Sequence, residues 1–189
     1  LIVKRVKGIR RAAMGPAMPN KAGGKTVLLD CGANAECTPE FLLQFGIIGS
    51  LYAKKSLGIE NPRVGLLNIG TEDTKGTPLQ KEAYVLLKEA GEKGLINFVG
   101  NVEARDVPLG TVDVVVCDGF SGNVLLKSVE GTAGYLMKEI KGIFKKNLIL
   151  ATLCLVSSVA ALAFLFPRIL KLVTALIRKI AYKSENASL

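Results

Sequence analysis

The strongest constraint on the fold is an alternation, through the middle of the chain, of short apolar segments with longer amphipathic ones. Four segments are rich in β-branched residues and have the length of buried strands: residues 25–30 (KTVLLD), 63–69 (RVGLLNI), 96–100 (INFVG) and 112–118 (VDVVVCD). Helices are predicted between most of them and after the last, at about residues 39–57, 78–93 and 123–146. Near-continuous apolar strands that alternate with helices indicate a mainly parallel sheet covered on both faces. We therefore predict a three-layer α/β/α sandwich.

Polar, glycine-containing loops follow all four predicted strands. They are residues 30–34 (DCGAN), 68–76 (NIGTEDTKG), 100–106 (GNVEARD) and 118–123 (DGFSGN). Ligands bind at the carboxyl ends of strands in parallel sheets, so these loops are expected on one rim. Glycine lets backbone amides approach an anion, and a helix that begins near Asn123 adds unpaired donors. The rim is therefore predicted to bind an anion.

The residue types on the rim suggest roles. Lys75 is predicted to neutralise an anionic substrate, Asn123 to donate to a carbonyl or phosphate oxygen, and Asp118 to orient donors or to handle a proton. The predicted substrate-binding residues are Asp30, Gly32, Asn34, Asn68, Gly70, Thr71, Glu72, Gly119 and Gly122. Each has a structural alternative, because tight turns need glycine and asparagine and strand-end acids cap backbone amides.

The chain contains no histidine and four cysteines without a CxxC pair. The absence of histidine excludes serine–histidine and cysteine–histidine hydrolase schemes, and histidine-dependent metal sites, within this chain. The cysteines indicate a reduced, cytosolic protein. Cys117 follows a strand, where a small buried residue is a more ordinary interpretation than a nucleophile.

The formal net charge of +9 resides at the two ends of the chain. Residues 1–25 carry seven Lys or Arg and no acid, and residues 145–189 carry seven more against one glutamate. This distribution favours an anionic partner such as lipid headgroups, an acidic protein or nucleic acid, with ordinary solvation as the alternative.

The last part of the chain differs in kind from the rest. Residues 147–167 form an uncharged segment that is long enough for a membrane span, and a basic amphipathic segment follows it. Pro167 is predicted to separate two helices. This pattern fits three arrangements: a membrane span, a hairpin that dips into one leaflet, and a helical pair packed on a partner subunit. The predicted membrane-contacting residues are Leu155, Phe164, Phe166, Ile169, Val173 and Ile177.

Five motifs occur together in a fixed order. They are LLDCGAN, CTPEFLLQFGIIGSLYA, NPRVGLLNIGTEDTKG, INFVGNVEARD and VVVCDGFSGNVLLKSVEG. Over about residues 7–146 the chain closely resembles the bacterial phosphate acyltransferase family, the phosphate:acyl-carrier-protein acyltransferases of phospholipid synthesis. After residue 146 the likeness is loose. We expect residues 1–146 to form the α/β acyltransferase body and residues 147–189 the helical pair.

The resemblance implies transfer of a long acyl chain from acyl carrier protein to inorganic phosphate, which gives acyl phosphate. It implies a fold similar to isocitrate and isopropylmalate dehydrogenases, a homodimer, and peripheral association with the cytoplasmic face of the cell membrane. No cofactor, metal or nucleic acid is expected. Opening and closing motifs of the family are absent, and Cys31 and Ser121 depart from its usual residues, so we expect an internal fragment that lacks part of the site. The alternative is a membrane-tethered module that binds acyl carrier or an anion without turnover.

Overall fold

The computed structural model describes the backbone of residues 6–146 and 148–185 and the side chains of residues 6–145 and 152–171. Its elements, in chain order, are β1 (Ala17–Pro19), β2 (Lys25–Leu29), α1 (Pro39–Leu57), β3 (Arg63–Leu67), α2 (Pro78–Glu92), β4 (Asn97–Val102), α3 (Asp106–Leu109), β5 (Val114–Val116), α4 (Gly119–Lys146) and α5 (Leu148–Glu185). All four predicted strands and the first two predicted helices are present, within a few residues of their expected ends.

The strands form one mixed sheet in the order β1-β2-β5-β3-β4. The β2–β5, β5–β3 and β3–β4 pairs are parallel, and β1 pairs antiparallel with β2. The prediction of a mainly parallel sheet is confirmed. β1 was not predicted, because three residues that end in proline carry too little strand pattern.

Alternate residues of the strands pack into two different cores. Val114 and Val116 join a cluster that includes Leu42 and Phe45 of α1 and Leu87 of α2. Val115, between them, joins a second cluster that contacts Leu125, Leu126 and Val129 of α4. Helices therefore flank both faces of the sheet, as the apolar strands indicated.

Two local predictions need correction. α4 begins at Gly119 rather than near Asn123, so the predicted loop 118–123 is the first turn of a helix. Pro167 lies inside one continuous helix, α5, and does not separate two helices. A proline removes one backbone hydrogen bond and its ring crowds the carbonyl four residues earlier, which weakens or bends a helix without necessarily ending it.

The chain divides into two compact units, one through Gly131 and one from Thr132. The expected boundary after residue 146 stays a prediction. In the second unit, Thr152–Lys171 has a mean hydropathy of 2.1, and on length and composition alone it is long and apolar enough to cross a membrane. None of this segment is buried within the described structure. Leu155, Phe164, Phe166 and Ile169 are exposed there. Val173 and Ile177 lie farther along α5, and their side chains are outside the described residues.

Candidate functional site

The carboxyl ends of β2, β5 and β3 bring three of the predicted rim segments to one edge of the first unit. Residues 30–34 follow β2, residues 68–76 follow β3, and α4 starts directly after β5. The expected gathering of polar strand ends is therefore present.

Asp30 organises the loop after β2 from a fully buried position. Its Oδ1 accepts hydrogen bonds from the amides of Met14 (2.8 Å) and Ala33 (3.3 Å). Its Oδ2 accepts from the backbone N and the Nδ2 of Asn34, at 2.7 and 2.8 Å. A carboxylate that is buried and satisfied in this way fixes backbone, and contact between Asp30 and substrate stays a prediction.

Asn34 also uses its donors within the protein. Its Nδ2 donates to Asp30 and, at 2.8 Å, to the carbonyl oxygen of Ala12. An amide nitrogen carries two hydrogens, so donation from Asn34 to a substrate oxygen would need one of these hydrogen bonds to break, and it stays a prediction. The segment 12–14, distant in sequence, is what Asn34 and Asp30 hold in place.

Asp118 is the N-cap of α4. Its Oδ1 accepts from the amide of Ser121 and its Oδ2 from the hydroxyl of Ser121, both at 2.8 Å. Asp118 is 8% exposed. A carboxylate before a helix satisfies free amides and favours the positive end of the helix dipole. This capping explains why α4 begins earlier than the sequence suggested.

The first amides of α4 are largely bonded within the protein. Gly119 donates to the carbonyl oxygen of Asn34 at 2.8 Å, and Gly122 donates to the carbonyl oxygen of Asp118 at 3.0 Å. A Cβ at Gly122 would lie 1.9 Å from the carbonyl oxygen of Asp30, and one at Gly119 would lie 2.4 Å from that of Asn34. These two glycines admit the neighbouring loop, and their assignment as substrate ligands stays a prediction.

Asn123 and Gly32 remain candidates for substrate contact. Asn123 is exposed on the first turns of α4, and within the described residues its side chain makes no hydrogen bond. Its Oδ1 would lie 3.8 Å from a Cβ at Gly32, whose φ of +129° suits glycine. Asn123 therefore faces the loop after β2 with its amide available.

The loop after β3 is held by two asparagines. Asn68 donates from Nδ2 to the carbonyl oxygen of Lys75 at 3.0 Å and accepts from the amide of Ile69 at 2.8 Å. Asn101 of β4 donates to the carbonyl oxygen of Glu72 at 2.7 Å. Sequence reasoning missed Asn101, which is 6% exposed and whose Oδ1 has no partner within the described residues. Asn68 is thus a loop organiser as well as a candidate ligand.

The charged and hydroxyl groups of this loop face water. Thr71, Glu72 and Lys75 are exposed, and no ion pair of Lys75 is recorded within the described chain. A Cβ at Gly70 would lie 2.7 Å from Oε2 of Glu72 and 3.3 Å from Cγ of Lys75. Gly70 therefore makes room for both side chains, and Lys75 keeps an ammonium available to an anion.

A cavity of about 690 Å³ lies between this loop and the first turns of α4. Its apolar lining residues are Leu67, Ile69, Ala104, Phe120, Val124 and Leu125. Its polar lining residues are Asn68, Thr77, Gln80, Ser121 and Ser128, and Gly76 completes the lining. The volume is within the range of small-molecule sites. Asn68 is a predicted site residue, and Ile69, Gly76, Ala104, Phe120 and Ser121 lie in the predicted rim loops. Sequence reasoning missed the others, although Ser121, Val124, Leu125 and Ser128 have helical spacing once α4 begins at Gly119.

The cysteines at this edge are structural. Burial, with the charges of Asp30 and Glu130, raises the pKa of Cys31 to about 11. Burial, with the charge of Asp118 next, raises the pKa of Cys117 well above its ordinary value, and its thiol donates to the carbonyl oxygen of Asp30 at 3.2 Å. Protonated, buried thiols are poor nucleophiles, as expected for Cys117.

Comparison with known proteins identifies the family. The family model described as fatty acid synthesis protein matches residues 1–164. The chain belongs to this family. A phosphate acyltransferase of Acetivibrio thermocellus is 57% identical over 147 residues, which are 78% of this chain and 42% of that protein. A phosphate acyltransferase of Alkaliphilus oremlandii is 55% identical over 147 residues, with the same two coverages.

This member of the fatty acid synthesis protein family thus spans about two fifths of the length of these curated relatives. Among solved structures, a phosphotransacetylase from Streptococcus pyogenes matches with a TM-score of 0.55 and 20% identity, over 70% of this chain and 45% of that one. At that identity the likeness shows the fold alone, which is the α/β fold found in phosphotransacylases.

Proposed function

We propose that this chain carries part of the site of an enzyme that transfers a long acyl group from acyl carrier protein to inorganic phosphate. The single observation that carries the proposal is the cavity between the loop after β3 and α4, at the strand ends where ligands bind in this fold class. The likeness to phosphate acyltransferases supports the reaction type.

The chemistry suits a site without histidine. A phosphate oxygen attacks the thioester carbonyl, the C–S bond breaks, and the proton of the phosphate ends on the thiol of the carrier. Phosphate is already nucleophilic at neutral pH, so the protein mainly holds two reactants together and stabilises the developing oxyanion. The ammonium of Lys75 and the side-chain amide of Asn123 are the groups we assign to that work. Asp118 positions the start of α4 as its cap.

The proposal extends to partners and location. The basic segments at the two ends suit an acidic acyl carrier protein, and the exposed apolar helix Thr152–Lys171 suits a membrane surface. A homodimer, a cytoplasmic location at the inner membrane face and a closer likeness to isocitrate and isopropylmalate dehydrogenases belong to the same proposal. Each is drawn from the family resemblance.

The decisive experiment supplies palmitoyl carrier protein and ³²P-labelled phosphate to the full-length gene product. Label that enters a lipid-extractable acyl phosphate, together with release of carrier thiol that depends on phosphate, is the expected result. Carrier binding without labelled product would instead support a binding module without turnover. That rival is favoured by one observation, since Asn34 and Asp118 already occupy most of the first amides of α4.

A further inference from the structure

The cavity beside α4 has an unusual lining for an enzyme whose co-substrate is an anion. None of its twelve lining residues carries a formal charge. Phosphate placed among them would lose its hydration without gaining a cation, which is unfavourable. Lys75, the exposed cation of the same loop, is not among the lining residues.

A second observation concerns the exposure of the apolar residues. Ile69, Phe120 and Val124 line the cavity and are 80%, 67% and 50% exposed. Ile69 lies in the loop after β3 and Phe120 and Val124 lie in α4, so the exposed part of the cavity, its opening, has apolar surface from both segments. A bound apolar chain would remove this surface from water, which is favourable in proportion to the area covered.

The polar groups of the lining also suit an uncharged ligand. The hydroxyl of Ser121 is already committed as a donor to Asp118 and has no hydrogen left for a phosphate oxygen. A thioester carbonyl is neutral and can only accept hydrogen bonds, so it needs few donors, whereas a phosphate dianion needs several donors and positive charge.

We propose that this cavity binds the acyl chain and thioester of the substrate, and that phosphate binds outside it, on the side of Lys75. Ile69, Phe120 and Val124 determine how long a chain is accepted. The inference rests on the proposed function for its choice of substrate, while the assignment of the cavity to an acyl chain is tested by binding alone.

The test fills the cavity with a bulky side chain. Val124→Trp places an indole in the opening, and Val85→Trp is the matched control, because Val85 is a helical valine of α2 that is 54% exposed and does not line this cavity. The probe is cis-parinaric acid, a fluorescent long-chain fatty acid. Circular dichroism and urea unfolding establish that both variants are folded.

We expect saturable binding of cis-parinaric acid to weaken about tenfold or more in Val124→Trp and to stay within about twofold of the parent in Val85→Trp. Both variants carry the same apolar helix α5, so binding there is common to them. Inorganic phosphate affinity, measured by titration calorimetry, is expected to be unchanged in both. In turnover assays, Val124→Trp should shift the preferred acyl chain towards shorter lengths.

Several results would overturn the inference. They are equal fatty-acid binding by the two variants and the parent, a loss shared with Val85→Trp, or a loss of phosphate binding confined to Val124→Trp. Absence of turnover with the expected binding pattern would remove the proposed function and leave the acyl-chain cavity in place.

Discussion

Gly122 illustrates how a glycine at a strand end can resemble a ligand site and serve packing. Its missing side chain lets α4 approach the carbonyl oxygen of Asp30, where a Cβ would lie at 1.9 Å. The neighbouring atom is backbone, so it cannot rotate away as a side chain would. The glycine is therefore required by the fold whether or not a ligand binds nearby.

Gly122→Ala is expected to lower the free energy of unfolding by about 3 kcal/mol or more. Gly131→Ala, in the same helix, meets nothing within 4 Å and is expected to raise it by up to about 1 kcal/mol. Urea unfolding followed by circular dichroism measures both. Equal effects of the two substitutions would show that the close contact with Asp30 is not what requires glycine.

Asp118 raises a question of role that substitution can decide. Asparagine also caps helices well, so Asp118→Asn should keep the free energy of unfolding within about 1 kcal/mol of the parent, whereas Asp118→Ala should lower it by about 0.5–2 kcal/mol. If the residue acts only as a cap, kcat of the asparagine variant falls less than about tenfold. A fall of a hundredfold or more with stability retained would instead establish an acid–base role.

At the residue level, the sequence predicted that polar strand ends share one edge, but it did not predict the hydrogen bonds that they make within the protein. Asp30, Asn34 and Asp118 do meet at one edge, because parallel strands bring their carboxyl ends together. Asp30 and Asn34 hydrogen-bond to Met14 and Ala12. No local sequence pattern indicates that residues 12–14 pack against the loop after β2. Donor atoms already used by the protein cannot be identified before such long-range contacts are known.

At the scale of elements, the amphipathic and apolar patterns specified the strands and the helices α1 and α2. The start of α4 was misplaced because glycines at positions 119 and 122 normally weaken a helix, and here close packing requires them. Once Asp118 is recognised as a cap, the cavity-lining positions of α4 follow from helical spacing. The cavity itself could not be predicted, since it depends on how the loop after β3 folds against α4.

An ion pair joins two elements at the opposite edge of the sheet. Asp113, just before β5, accepts from Arg63 of β3 through the backbone N (2.8 Å), Nε (3.0 Å) and Nη2 (3.1 Å). Burial acts to raise the pKa of Asp113, but the hydrogen bonds from Arg63 outweigh it and leave the pKa below its ordinary value. The pair therefore aligns the amino ends of β3 and β5.

This pair makes stability depend on pH with a defined sign. A carboxyl whose pKa is lowered on folding stabilises the folded state above its unfolded pKa, and that stability is lost as pH falls through the folded pKa. Asp113→Asn should lower the free energy of unfolding at pH 7 by about 1–3 kcal/mol. The gap in this free energy between the variant and the parent should narrow below about pH 4. Glu60→Gln, at an exposed carboxyl with no ion pair recorded in the described chain, is the control. A gap that stays constant down to acid pH would contradict this account.

For the whole molecule, the chain joins a well-packed first unit to a second unit whose described apolar residues are exposed. From Thr152 to Lys171 every side chain is exposed, including Leu155, Leu162 and Phe166. Such a surface is unfavourable in water unless something apolar covers it. Composition predicted an apolar helical segment here, because an uncharged run needs no tertiary information to be recognised. The expected break at Pro167 failed because one missing donor does not end a helix by itself.

Membrane contact through this helix is testable with vesicles that contain anionic lipid. Leu155 is 67% exposed, and Leu155→Lys places a charge in the apolar stretch of the helix. The control is Leu95→Lys, at a leucine of the first unit that is 62% exposed. A lysine in the hydrocarbon region is unfavourable by about 2.5–3.5 kcal/mol, which snorkelling reduces, so the fraction that floats with vesicles should fall about tenfold or more for Leu155→Lys alone. Washing at alkaline pH then separates the two modes of contact, because a surface-bound helix is released and a spanning helix is retained. Flotation that is equal in both variants and the parent would mean that this helix does not carry the membrane contact.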